Sequence, residues 1–133
     1  MAVPPLEQAW NARSGEAVAA AFTAEGVRRE FALPGARLEG RAEIGAHVAA
    51  YMRALPDCRL EVRGVTDTGA VAVVEWTFTG TQTGDLPGLP AQGEAVVLDG
   101  VSVCVMDGDL IREERVYWDA ATLLVAAGVL DST

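Results

Sequence analysis

The sequence contains no lysine, one histidine and only two cysteines among its 133 residues. Without a lysine amine, Schiff-base catalysis is excluded. Cys58 and Cys104 lie far apart, and with His47 as the one histidine they form no set of zinc ligands. We therefore expect no metal site, and two buried, reduced thiols of the kind found in cytoplasmic proteins.

Long apolar runs and targeting signals are also missing. No apolar stretch reaches the about 18 residues that a membrane-spanning helix needs. The N-terminal residues, MAVPPLEQAW, have neither the basic nor the apolar region of a signal peptide. We expect a soluble protein located in the cytoplasm.

Positive charge is scarce. Ten basic residues, all arginine, stand against 19 acidic ones, which gives a net charge of −9 and a pI near 4.4. Such a field repels nucleic acid, anionic lipid and anionic carriers, so we expect no nucleic-acid partner and no membrane partner. A neutral or weakly acidic small ligand is favoured.

Hydrophobic residues, in contrast, make up 50% of the chain, and charged residues 22%. This composition is typical of a globular protein, and the length predicts a single domain over residues 1–133. The apolar surplus is enough to line a pocket or a dimer face.

Hydrophobic periodicity predicts helices first and strands later. A period near 3.6 indicates helices over residues 4–13, 15–25 and 41–55, the second capped by Ser14 and the third followed by Pro56. A short strand over 27–33 lies between the last two. From Cys58 the period becomes two, and predicts strands over 58–65, 70–82, 95–106 and 110–118, a loop over 85–93 and a final helix over 121–130.

This order predicts an α+β domain with an antiparallel or mixed sheet. Strands this long can curl around the N-terminal helices, which would form a cone with a cavity at its wide end. The alternative is a flat sheet with helices on one face and no pocket.

Two segments carry a family resemblance: GTQTGDLPGLPAQG (80–93) and DGDLIREERVYWD (107–119). Together with the N-terminal WNARSGE, they resemble the SnoaL-like polyketide cyclases of the nuclear-transport-factor-2-like superfamily. The resemblance implies a cone-shaped α+β barrel, a homodimer and acid/base ring closure of a polyketide-like substrate in natural-product biosynthesis. It also implies catalysis without metal or cofactor. One departure is Gln82, where many relatives carry histidine.

The resemblance assigns the role of general acid/base to Asp119. The position also has the pattern of a helix N-cap, because Ala120 and Ala121 follow it. Strand alternation places Asp119 on the same face as Tyr117 and Arg115. If that face lines the cone, the pKa of Asp119 should rise above its ordinary value.

Other residues are candidates for binding the substrate. Tyr51 and Tyr117 could donate hydrogen bonds to a carbonyl oxygen, and His47 lies one helical turn from Tyr51. Trp10 and Trp76 are expected in the core or in the cavity wall. The neighbouring charges Glu113, Glu114 and Arg115 favour a solvated or cross-strand-paired cluster.

Two alternative functions stay open. Relatives that open epoxides use an Arg-x-Asp pair, for which the nearest arrangement here is Arg115 with Asp119. Ketosteroid-isomerase relatives place an aspartate where this chain has Leu33. This difference argues against an isomerase more strongly than the missing Arg-x-Asp pair argues against epoxide opening. The other alternative is a non-catalytic module that binds a ligand or a partner protein.

Overall fold

A computed structural model of the chain describes residues 5–32, 35–86, 90–91 and 93–126, without the side chains of 123 and 126. Three predicted elements, the strand 27–33, the loop 85–93 and the helix 121–130, extend outside the described residues, at positions 33, 87–89, 92 and 127–130. The elements are α1 (Leu6–Asn11), α2 (Gly15–Ala19), β1 (Phe22–Glu30), β2 (Ala36–Glu39), α3 (Gly40–Ala54), β3 (Arg59–Asp67), β4 (Val71–Thr81), β5 (Ala95–Asp107), β6 (Leu110–Trp118) and α4 (Ala120–Ala126).

Six strands form one curved sheet, in the order β2-β1-β6-β5-β4-β3. All neighbours pair antiparallel except β1 and β6, which run parallel. The first and last long strands therefore lie side by side within the sheet, with only β2 beyond β1. This mixed, curved sheet with helices confirms the predicted α+β fold and excludes the flat alternative.

The second helix is shorter than predicted. It ends at Ala19, and β1 begins at Phe22, inside the stretch that was predicted as helical to residue 25. Phe22 pairs with Ile111 of β6 and is fully buried, so the gain from pairing in the sheet outweighs the local helix preference. The predicted strand 27–33 is correct only for its first part, because β1 ends at Glu30.

One extra residue in β6 decides which side chains face inward. Met106 pairs with Ile111 and Val105 pairs with Glu113, which leaves Arg112 as a bulge. The bulge shifts the alternation by one position, so that Ile111, Glu114 and Val116 are all buried.

The core lies between the concave face of the sheet and helices α1 and α3. Ile44, Val48 and Met52 form the buried stripe of α3, as the helical period predicts. Leu6 and Trp10 of α1 close the core from the other side. Within the part of the chain that the structure describes, no helix is long and apolar enough to cross a membrane.

Candidate functional site

A cavity of about 60 Å³ lies between the concave face of the sheet, α1 and the end of α3. At about 10–15 Å³ for each water molecule, it has room for roughly four to six waters. Most of its wall is apolar: Leu6, Trp10, Leu55, Leu60, Trp76, Phe78, Leu86, Val96, Leu98, Val116 and Trp118. Six polar residues complete the wall: Arg28, Glu30, Tyr51, Gln82, Ser102 and Glu114.

Trp76 is held in the wall by its neighbours on β5. A Cβ atom at Gly100 would lie 2.2 Å from the indole ring, so only glycine leaves space for this ring position. The indole Nε1 donates a hydrogen bond of 3.0 Å to Ser102 Oγ. Both contacts fix the ring, and a fixed ring gives the cavity a defined shape.

Arg28 and Glu114 form a buried ion pair at the cavity. Arg28 Nη1 donates a hydrogen bond of 2.5 Å to Glu114 Oε1, and the two residues are 4% and 1% exposed. Burial alone would lower the pKa of Arg28, but the carboxylates of Glu114 and Glu30 raise it above the ordinary value. The guanidinium therefore carries its charge in a nearly dry environment.

Glu30 links this ion pair to α3. Its Oε1 lies 3.8 Å from Arg28 Nη2 and accepts a hydrogen bond of 3.1 Å from Tyr51 Oη. Its Oε2 contacts His47 Nε2. Burial raises the pKa of Glu30, but the hydrogen bond with His47 and the charge of Arg28 outweigh that effect, and the net result is a lowered pKa.

The charge of Glu30 determines the protonation of its partners. An ionised carboxylate only accepts hydrogen bonds, so His47 carries a proton on Nε2. A neutral His47 then has its lone pair on Nδ1. Burial and the nearby Glu30 raise the pKa of Tyr51, which stays a phenol and a hydrogen-bond donor.

The arrangement can therefore hold a small, mostly apolar molecule against charged groups. In the family comparison, the model described as SnoaL-like polyketide cyclase matches residues 1–126. The chain belongs to this family. No curated protein shows significant sequence similarity to it.

Several solved structures have the same fold as this SnoaL-like protein. A protein from Jannaschia sp. CCS1, assigned as a SnoaL-like polyketide cyclase, has a TM-score of 0.82 and 23% identity, over 95% of this chain and 88% of that one. AclR from Streptomyces galilaeus, assigned as a hydroxylase, has a TM-score of 0.80 and 21% identity, over 96% of this chain and 84% of AclR. These identities show the fold.

A third similar structure contains a small molecule. It is a hypothetical protein from Catenulispora acidiphila, with a ketosteroid isomerase-like fold and in complex with trimethylamine. Its TM-score is 0.79 and its identity is 18%, over 96% of this SnoaL-like chain and 95% of that one.

Asp119 lies outside the cavity of this SnoaL-like protein. Its carboxylate caps α4, accepting hydrogen bonds from the backbone N–H of Thr122 at 3.1 Å and from Thr122 Oγ1 at 2.5 Å. These hydrogen bonds lower the pKa of Asp119. The predicted pocket position and the raised pKa are therefore wrong, because the Arg112 bulge reverses the faces of β6. A catalytic role for Asp119 stays a prediction.

Tyr117 and Arg115 lie on the same outer face. Tyr117 is 45% exposed and stacks on Phe31 at a centroid distance of 4.9 Å. Arg115 Nη1 lies 3.4 Å from Glu113 Oε1 on the same strand. The predicted cross-strand contact is made by Glu113, whose Oε1 lies 3.7 Å from Arg29 Nη1 of β1. The pocket position predicted for Tyr117 is wrong for the same reason as for Asp119.

Three predicted binding residues do line the cavity: Trp10, Tyr51 and Trp76. His47 contacts the cavity residue Glu30 and keeps 25% of its side chain exposed. Gln82, the position at which this chain departs from many relatives, is buried in the wall.

Sequence reasoning missed the three charged residues of the cavity, Arg28, Glu30 and Glu114. Of the two alternatives predicted for Glu114, the solvated position is wrong, whereas the cross-strand pairing is confirmed by its ion pair with Arg28 of β1. Arg28 and Glu30 alternate on one side of β1, a pattern that could have indicated a shared face. Glu114, Val116 and Trp118 alternate in the same way. Because Val116 and Trp118 are apolar, they could have indicated that this set lies on the inner face of the sheet.

Among the described residues, no group of three or more His, Cys, Asp or Glu side chains is placed to hold a metal ion. Cys58 and Cys104 are free and buried, and burial raises the pKa of both thiols.

Proposed function

We propose that this protein is a cofactor-independent acid/base enzyme that acts on a small carbonyl compound in the cavity. The observation that supports the proposal is the chain of buried ionisable groups along an otherwise apolar wall. Arg28, Glu30, Glu114 and Tyr51 all line the cavity, and His47 contacts Glu30. A site that only bound an apolar molecule would gain nothing from these desolvated charges.

Glu30 is the proposed base. Its carboxylate takes a proton from the carbon next to the substrate carbonyl, which leaves an enolate and a neutral Glu30. In an aldol-type ring closure, the enolate carbon attacks a second carbonyl of the same molecule. The new alkoxide then recovers the proton, so no other reactant is consumed. His47 and Tyr51 orient Glu30 through its two oxygens.

The apolar wall is proposed to fold and hold the substrate. Trp10 and Trp76 offer flat surfaces, and Tyr51 offers a hydrogen-bond donor. A cavity of about 60 Å³ is smaller than the about 150 Å³ cavity that takes benzene. We therefore expect it to hold the carbonyl end of a polyketide-like molecule rather than a whole ring system.

The proposal can be tested without the natural substrate. Acetone, whose four non-hydrogen atoms suit a cavity of this size, loses the protons next to its carbonyl in D₂O when an enzyme removes them, and proton NMR follows the loss. We expect the wild type to exceed the buffer rate and Glu30→Gln to lose roughly 10²–10⁴-fold. Glu75→Gln is the matched control, because Glu75 lies exposed on the outer face of β4.

Two other functions are outcomes of this test. Ketone binding with no exchange above buffer would indicate a non-catalytic binding module. Epoxide opening has less support, because Arg115 and Asp119 are not among the residues that line the cavity. Equal exchange by the Glu30→Gln variant would remove Glu30 as the base.

The family resemblance also suggests a homodimer, and we propose the outer face of the sheet as its interface. Phe31, Tyr117 and Val97 are 48%, 45% and 58% exposed there. Light scattering should give twice the chain mass of 13.9 kDa, and Tyr117→Glu should shift it toward the monomer because it places a charge in an apolar contact. A wild-type mass of one chain at high concentration would contradict the proposal.

A further inference from the structure

Arg28 has a hydrogen-bond donor with no acceptor. Its side chain is 5% exposed, and among the residues that the structure describes, no atom accepts a hydrogen bond from its Nε. A buried donor without an acceptor loses its interaction with water and gains nothing in return. Such a group in a cavity wall points to a ligand that supplies the acceptor.

The guanidinium cannot turn to satisfy this donor within the protein. Nη1 is held by Glu114 at 2.5 Å, and Nη2 is drawn toward Glu30 Oε1 at 3.8 Å. The ring of Trp10 lies 5.7 Å from the guanidinium carbon. Because the guanidinium is planar and rigid, these contacts fix the direction of the Nε–H as well.

The local charges select the kind of acceptor. Arg28 already balances one of two buried carboxylates, Glu30 and Glu114. A ligand carboxylate would add a third negative group to this wall. An ammonium group would place a second hydrogen-bond donor against the Arg28 Nε–H, which needs an acceptor. A neutral carbonyl oxygen accepts the hydrogen bond without either cost.

We propose that Arg28 binds the carbonyl oxygen of a neutral ketone through its Nε–H, and so determines the class of ligand. The inference rests on the proposed function in that it takes this cavity as the substrate site. When Glu30 removes the proton, negative charge develops on the same oxygen, beside the guanidinium that is already in place.

The test measures binding separately from exchange. Acetone is titrated into the protein, and the NMR signals of the Trp10 and Trp76 indole N–H groups give the dissociation constant. Arg28→Lys keeps a positive charge for Glu114 and Glu30 but removes the Nε–H. We expect the dissociation constant to rise roughly 10–100-fold, the size of one hydrogen bond to a charged group.

Arg29→Lys is the matched control. Arg29 is the next residue of β1, but its side chain is 40% exposed and its contact is with Glu113 at 3.7 Å. This variant should bind acetone as the wild type does. If Arg28→Lys also binds it unchanged, the proposal is overturned.

Two charged probes of the same size as acetone test the ligand class. Acetate and isopropylammonium, each with four non-hydrogen atoms, should both bind more weakly than acetone. Tighter binding of either one would overturn the assignment of a neutral carbonyl, and tighter binding of the ammonium compound would indicate an amine site instead.

A further measurement does not depend on the folding of a variant. The carbonyl carbon of ¹³C-labelled acetone should move downfield on binding to the wild type, because a charged donor polarises the bond. Binding with no such shift would contradict the contact with Arg28. If the ketone binds with the expected shift but its protons do not exchange, the proposed enzyme activity is refuted and the role of Arg28 in binding stands. If its protons exchange but Arg28→Lys does not weaken binding, the role of Arg28 is refuted and the enzyme activity stands.

Discussion

Replacing Glu114 tests whether the charged wall of the cavity is dry. Glu114 is 1% exposed and its Oε1 lies 2.5 Å from Arg28 Nη1. Removing one partner of a buried ion pair costs about 3–5 kcal/mol, because the other charge stays buried. Since Glu30 still lies 3.8 Å from Arg28 Nη2, we expect Glu114→Leu to lose about 3 kcal/mol, at the lower end.

Two further variants separate charge from hydrogen bonding. Glu114→Gln keeps an acceptor for Nη1 and loses only the charge, so the loss should be about 1–2 kcal/mol. The double variant Arg28→Met with Glu114→Leu removes both buried charges. It should be more stable than Glu114→Leu alone, because two apolar side chains need no partner in the core.

Urea unfolding followed by tryptophan fluorescence measures these differences. A pure stability effect moves the midpoint and leaves the slope unchanged. A loss below about 1 kcal/mol for Glu114→Leu would refute the reasoning, since only a hydrated pair is that weak. A double variant less stable than Glu114→Leu would refute it as well.

Three other predictions concern single positions. Asp119→Ala should lose about 1 kcal/mol of stability, while Asp119→Asn keeps both the cap and the exchange rate; a loss of exchange in Asp119→Asn would restore its catalytic role. The pKa of Glu30 is lowered, so its stabilisation is present above the ordinary value of 4.5 and is lost as the pH falls through the lowered value. Glu30→Gln should therefore flatten the acid side of the stability profile, and an unchanged profile would contradict the lowered pKa. Gly100→Ala should displace the Trp76 indole, shift its fluorescence and cost about 1–3 kcal/mol. Gly64→Ala, where a new Cβ meets nothing within 4 Å, is its control and should show neither effect.

Periodicity predicted the elements with strong local patterns. The long helix α3 and strand β6 agree with the prediction to within one residue. Helix α3 has an uninterrupted stripe of apolar positions, and the bounds of β6 are correct although the Arg112 bulge interrupts its alternation. The start of β1 did not follow from local propensity, since Phe22 is placed by its pairing with Ile111, far along the chain.

The cavity was predicted in outline but not in its chemistry. Trp10 and Trp76 were expected in the core or the cavity wall on size and periodicity alone. The position of Asp119 was wrong because a single inserted residue, Arg112, exchanges the two faces of a strand. A bulge is hard to recognise in a sequence, but it moves every later side chain of the strand to the opposite face.

The parallel pairing of β1 with β6 also sets when the site can form. Arg28 and Glu114 are 86 positions apart, so the strand that carries Glu114 is synthesised well after β1. Until β6 docks, Arg28 lacks its buried partner Glu114, although Glu30 can already contact His47 and Tyr51 of α3. Contacts of such long sequence separation form late and slowly. The cavity is therefore expected to acquire its charged wall only in the final step of folding.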